Sequence, residues 1–164
     1  MDNYQEMIEL QINKLITSLE DKSFESFKTI LLDKVKNVQI KESINDNLVI
    51  ISNSYTKNTS LLNDLERECK SLIMDKETLE IISYTYDDIF YNQDAKDYIL
   101  KNGIKNYNIQ ECFEGTLLSF YYYNNKWNVS TRSCLDARDS YWASNKSYYD
   151  LFLDAVGISF NEFT

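Results

Sequence analysis

Apolar residues recur at helical spacing from the start of the chain. Tyr4, Ile8, Ile12, Leu15 and Leu19 follow Asp2 and Asn3, predicting an amphipathic helix over residues 4–19. Ser23 is placed to cap a second helix whose apolar face is Phe24, Phe27, Ile30, Leu31 and Val35. The short run Leu48-Val49-Ile50-Ile51 follows the turn-forming Asn45-Asp46-Asn47 and reads as a buried strand. Ser60 can cap a helix reaching to about Cys69. The period then shifts toward two: residues 72–74 and 79–84 flank the polar residues 75–78, a β-hairpin pattern. Residues 93–101 are helical, with Gly103 at the left-handed end position. Strands are expected at 107–113, 116–123 and 126–132, the last two meeting at Asn124-Asn125, which tolerate positive φ. Ser144 or Asn145 opens a final helix through Val156, closed by Gly157, and Phe160 to Thr164 reads as the start of another.

This order predicts an α+β fold, an antiparallel sheet with flanking helices. No Pro/Gly/Ser linker or internal repeat divides the chain, so residues 1–164 read as a single domain, long enough to bury a substantial core. Within it a helical region, 1–45, is expected to pack on a β-rich region, 46–164.

Composition narrows the chemistry. The chain contains no histidine, which removes His-dependent triads and most zinc sites. Cys69, Cys112 and Cys134 are isolated and odd in number, arguing against a disulfide framework and for a reducing intracellular compartment. No apolar run approaches the roughly 20 residues of a membrane span, and the polar start is unlike a secretion signal, so neither a membrane nor a secreted location is expected. A net charge of −9 and only three arginines, Arg67, Arg132 and Arg138, count against broad RNA binding through phosphates. The run Tyr121-Tyr122-Tyr123 with Trp127 offers a stacking platform, but strand alternation favours a mixed core-and-surface role.

Two blocks of residues carry a more specific signal. The first runs from Arg67-Glu68-Cys69-Lys70-Ser71 through Leu72-Ile73-Met74-Asp75 to Ile89-Phe90-Tyr91-Asn92. The second is Cys112-Phe113-Glu114-Gly115-Thr116 followed by Trp127-Asn128-Val129-Ser130-Thr131-Arg132-Ser133. In this order they resemble the RNA-ligase branch of the covalent nucleotidyltransferases, which includes ATP-dependent ligases and mRNA capping enzymes. The Glu-Gly-Thr and Trp-x-x-Ser-Thr variant resembles ligase-like proteins of large DNA viruses. The similarity covers residues 48–156 and implies a partial nucleotidyltransferase fold, with ATP and Mg2+ as cofactors.

In that family a lysine attacks the α-phosphate of ATP, forming lysyl-adenylate and releasing pyrophosphate. The resemblance puts Cys112 at the nucleophile position. Glu114 falls near the ribose or metal, Gly115 at a point of close backbone approach, and Lys70 and Arg132 on the nucleotide. The family's cationic equipment is thinned. Lys70 stands for an arginine, losing its bidentate fork; Ser71 and Ser133 stand for glycines, and Ile89 for a lysine. Glu111 and Glu114 beside Cys112 disfavour a thiolate. The expected function is a degenerate RNA-ligase-like domain, inactive by itself, serving as a binding or structural module in a viral setting such as host cytoplasm or virion. Its partners are then a nucleotide or another protein. The alternative is an active ATP-dependent RNA ligase or part of one, using a displaced lysine such as Lys105 or Lys126.

Overall fold

The computed structural model describes residues 10–53, 63–85, 90–103, 105, 109–111, 114–143 and 145–164. Helix α1 (Gln11–Ser18) buries Ile12 and Leu15; the expected turns at residues 4–9 lie outside the described residues. Its first N–H groups, which no helix can satisfy internally, donate to one buried carboxylate. Gln11 N and Ile12 N reach Glu68 Oε1 and Oε2 at 2.7 and 2.8 Å. Helix α2 (Phe24–Lys34) is capped by Ser23 as predicted and buries Phe24, Phe27 and Leu31.

The first 45 residues are not helical to their end. Val38–Glu42 form strand β1, where Val38 and Ile40 turn inward and their neighbours outward. It pairs antiparallel with β2 (Leu48–Asn53), which is buried on both faces as its continuous apolar run requires. Helix α3 (Asp64–Glu68) starts at an Asn63–Glu66 capping box; Ser60, the expected cap, lies outside the described residues. Strands β3 (Leu72–Asp75) and β4 (Ile81–Tyr84) complete a four-stranded sheet in the order β1-β2-β3-β4. The expected hairpin forms, but Leu79 belongs to its turn: with φ +58° it leaves the extended conformation while its side chain stays in the core.

Helix α4 (Asn92–Asn102) ends at Gly103, φ +74°, and buries none of its residues. Of the strand expected over 107–113, residues 109–111 are not extended into a ladder and the rest lie outside the described residues. Strand β5 (Ser119–Tyr123) starts three residues later than expected and pairs with β6 (Lys126–Ser130) through a two-residue turn. A 3₁₀ turn at Ala137–Asp139 leads to α5 (Tyr148–Val156) and α6 (Phe160–Phe163). The α5 cap is Ser147, boxed with Asp150; Asn145 does not serve, and Ser144 lies outside the described residues.

Strand alternation stacks these elements in layers. Val49, Ile51, Leu72 and Met74 face α1 and α2 in one cluster. Leu48, Ile50 and Ile73, on the opposite face, pack under Tyr121 of the β5–β6 hairpin. The far side of that hairpin, through Phe120 and Val129, is covered by Phe152, Leu153 and Phe160 of the last two helices. Among the described residues no helix is long and apolar enough to cross a membrane.

Candidate functional site

The space between the four-stranded sheet and the hairpin changes character along its length. At one end it is closed by Leu48, Ile50, Ile73 and Tyr121. There Tyr123 donates its hydroxyl to Asp75 Oδ2 at 2.6 Å, while Asp75 Oδ1 accepts the N–H groups of Glu77 and Thr78 at 2.8 and 3.0 Å. Burial by itself would raise the Asp75 carboxyl; the Tyr123 hydroxyl and those backbone donors outweigh it and hold the group below its ordinary value. Tyr123 is pushed up to about 12, chiefly by its bond to Asp75.

Moving two residues along each strand keeps the same face and reaches the other end. Ser52 follows Ile50, Ser119 precedes Tyr121, and its ladder partner Ser130 lies across from it, while Ser71 lies in the bend just before β3. Ser52, Ser71 and Ser130 are each no more than 2% exposed. The apolar floor thus gives way to a layer of small hydroxyl side chains. Ser130 Oγ donates to Ser119 O at 3.4 Å, whereas Ser71 Oγ is buried with no hydrogen-bond partner.

Of the sequence-predicted cations, Arg132 stands at this end. Arg132 follows β6 in a turn fixed by the Thr131 N–H donating to Cys134 O at 3.0 Å; its Nη2 donates to Asn53 O at 3.4 Å. The β2–β3 ladder ends at the Ile51–Leu72 pair, and Lys70 lies in the turn between α3 and β3. Glu114 and Gly115 are exposed on the run that leads into β5. A Cβ added at Gly115 would meet no described protein atom within 4 Å. Cys112 and Ile89 lie outside the described residues, as do the acidic pair Asp87-Asp88. Lys126, a candidate displaced nucleophile, opens β6 at the end opposite Arg132; Lys105 is exposed.

The implied cofactors fit unequally. The orphaned Ser71 hydroxyl and the Arg132 guanidinium suit the polar and anionic parts of a nucleotide. Glu114 offers one exposed carboxylate, and among the described residues no three Asp, Glu or Cys side chains converge to hold a metal ion.

The other cysteines have structural surroundings. Burial, reinforced by Glu68 and Glu66, pushes the Cys69 thiol up to about 12. Cys134 Sγ donates to Asp136 O at 3.2 Å. The tyrosine run divides as alternation predicts. Tyr121 is buried with its hydroxyl donating to Leu135 O at 3.0 Å, whereas Tyr122 is exposed and meets Trp127 edge to face at 5.5 Å.

A concavity of about 650 Å³ lies at the hairpin tip, lined by residues 43–46, Lys126–Asn128 and residues of the 134–139 segment. Its lining mixes Lys41, Lys126 and Arg138 with Asp46, Asp136 and Asp139, and Arg138 is already paired with Asp136 at 3.1 Å. Such a balance does not favour a polyanion. Sequence reasoning named Lys70 and Arg132 as candidates and passed over the buried serines; the β5–β6 register sets Ser119 across from Ser130.

No family model matches the chain, and no solved structure does. An immediate-early protein ICP-46 homolog of Invertebrate iridescent virus 3 is 39% identical over 66 residues, 35% of this chain and 15% of that protein. A putative bifunctional polynucleotide kinase/RNA ligase of Autographa californica nuclear polyhedrosis virus is 27% identical over 135 residues, 77% of this chain and 19% of that protein. The chain spans less than a fifth of the length of either curated relative, and both are viral. Over most of its own length it bears a distant, RNA-ligase-like relationship to the second.

Proposed function

We propose that this chain is an RNA-ligase-like domain that keeps a nucleotide-binding end but does not perform the covalent step, and serves as a binding or structural module. The observation that carries the reading is Arg132 reaching the Asn53 end of β2, beside the buried hydroxyls of Ser52 and Ser130 at the strand ends. Arg132 is one of the positions that the ligase resemblance assigns to the nucleotide. The loss of chemistry follows from the nucleophile position. A lysine amine there would attack the α-phosphate and leave a phosphoramidate. Cys112 supplies a thiol between Glu111 and Glu114, whose charges oppose the thiolate. Lys126, the candidate displaced nucleophile, opens β6 at the end opposite Arg132, the length of the strand away, about 16 Å at strand rise.

Incubation with α-labelled ATP or GTP and Mg2+, followed by a denaturing gel, tests the proposal. The expected result is no covalent adduct from the native chain. An acid-labile, alkali-stable labelled band would establish the active-ligase alternative instead. Cys112→Lys sharpens the comparison: an adduct in that variant alone would locate the deficit at this one atom.

A further inference from the structure

Helix α4 carries an apolar stripe that is left largely exposed. At 3.6 residues per turn, Tyr91, Ala95, Tyr98, Ile99 and Asn102 fall on one side of Asn92–Asn102. Ala95 is half-buried and the others are exposed, Tyr91 at 65% and Ile99 at 44%. The Phe90 ring stacks on Tyr98 at 4.7 Å and widens the stripe. Asn102 does not break it with an unmet amide, since its Nδ2 donates to Tyr98 O at 2.9 Å. A helix of this length is marginal in water, so a surface that covers the stripe stabilises the helix and removes apolar area from water together.

The charges beside the stripe identify that surface. Asp94 in the first turn and Lys101 in the last stand two turns apart on the same flank. Among the described residues neither forms a salt bridge. The opposite flank, Asn92 and Ile99, is uncharged. Two antiparallel helices related by a twofold axis set each flank against its own copy, whereas two parallel helices set unlike flanks together. The antiparallel arrangement therefore brings Asp94 against the partner's Lys101, and the symmetry repeats the pair. A parallel arrangement would lay both charges along Asn92 and Ile99, where no opposite charge meets them.

We infer that α4 is a self-association helix, packing antiparallel on the α4 of a second copy of this chain about a twofold axis. Tyr91, Ala95, Tyr98 and Ile99 form the seam, and the two Asp94–Lys101 pairs lie beside it. Ala95, the small residue between Tyr91 and Tyr98, leaves a hollow for an aromatic ring of the facing helix. One short helix buries less than the roughly 1,200 Å² of a standard stable complex, so the dimer is reversible, with a dissociation constant of about 10–100 μM. In dilute protein α4 is unpaired.

Sedimentation equilibrium of the full chain from about 1 to 500 μM, a range that brackets such a constant, tests the inference. The expected mass climbs from monomer to dimer. Ile99→Asp should weaken association at least about tenfold by placing a charge in the seam. Leu100→Asp should leave it unchanged, because Leu100, though 81% exposed, lies on the far side of the helix. Asp94→Lys and Lys101→Asp each turn both ion pairs into like-charge contacts, and each should weaken self-association about tenfold. Mixed in equal amounts, these two variants should associate with each other as the native chain does with itself, since each supplies the charge the other lacks. Loss of helix in either variant would persist in the mixture, so recovery reports pairing across the axis. A chain that stays monomeric throughout overturns the inference. So does a dimer indifferent to Ile99→Asp or to the charge reversals, or one weakened equally by Leu100→Asp. Weakened single variants that fail to recover on mixing overturn the antiparallel seam.

Discussion

Tyr123 and Asp75 lock the apolar end of the interlayer with a charge-assisted bond between the two sheets, 48 residues apart in sequence. Because the folded carboxyl lies below its unfolded value, its contribution is fully present above about pH 4, the ordinary carboxyl value, and fades as the pH falls toward the folded value. The Tyr123 hydroxyl works in the opposite sense. Raised to about 12, its contribution is complete below the ordinary phenol value and is lost as the pH climbs through the folded one. Tyr123→Phe should therefore cost about 2 kcal/mol near neutrality, typical of a hydrogen bond to a charged group. Urea denaturation at successive pH values should show that difference shrinking on the acid side, as Asp75 becomes neutral. An equal difference at pH 7 and at pH 3 would mean that the bond owes nothing to the carboxylate charge.

At the scale of elements, the β5–β6 turn shows how local chemistry fixes register. Tyr123 pairs with Lys126, leaving Asn124 and Asn125 alone in the loop with φ of +50° and +59°. That pair of left-handed residues matches the right-handed twist of the flanking strands and favours Asn or Gly. Asn125→Ala should cost about 1 kcal/mol, the left-handed penalty of an ordinary residue, while Asn125→Gly should be neutral or slightly stabilising. Thermal midpoints ordered alanine above glycine would show that the turn does not set the pairing. This hairpin, the capped helix α2 and the doubly buried β2 were legible in sequence because turn chemistry, caps and apolar runs are local signals. Strand β1 was not. Val38 and Ile40 alternate with Gln39 and Lys41 for only a few residues, directly after a helix, and acquire their role from pairing with β2. The candidate site was half legible for the same reason. Arg132 and Lys70 belong to motifs, whereas buried serines resemble surface serines until two ladders align them.

Across the whole molecule, burial is distributed unevenly among the layers, and stability should follow it. Val49, Ile50 and Ile51 have no exposed surface and are bonded to strands on both sides, so their amides open only when the sheet does. The β5–β6 hairpin is held from both faces, by Tyr121 against the sheet and by Phe120 against Phe152 and Phe163, each at 5.2 Å. Helix α4 buries none of its own residues, and Tyr98 stacks on Phe90 at 4.7 Å. An isolated helix of this length is marginal in water. Native-state hydrogen exchange should accordingly rank the β2 amides slowest, near the global unfolding free energy, and the α4 amides among the fastest of the described elements. Nucleotide should slow exchange around Thr131–Arg132, where Arg132 meets the Asn53 end of β2, and leave α4 untouched. Protection that appears in α4 instead would shift the binding surface away from that strand end, and the Arg132–Asn53 bond would then be a feature of the fold alone.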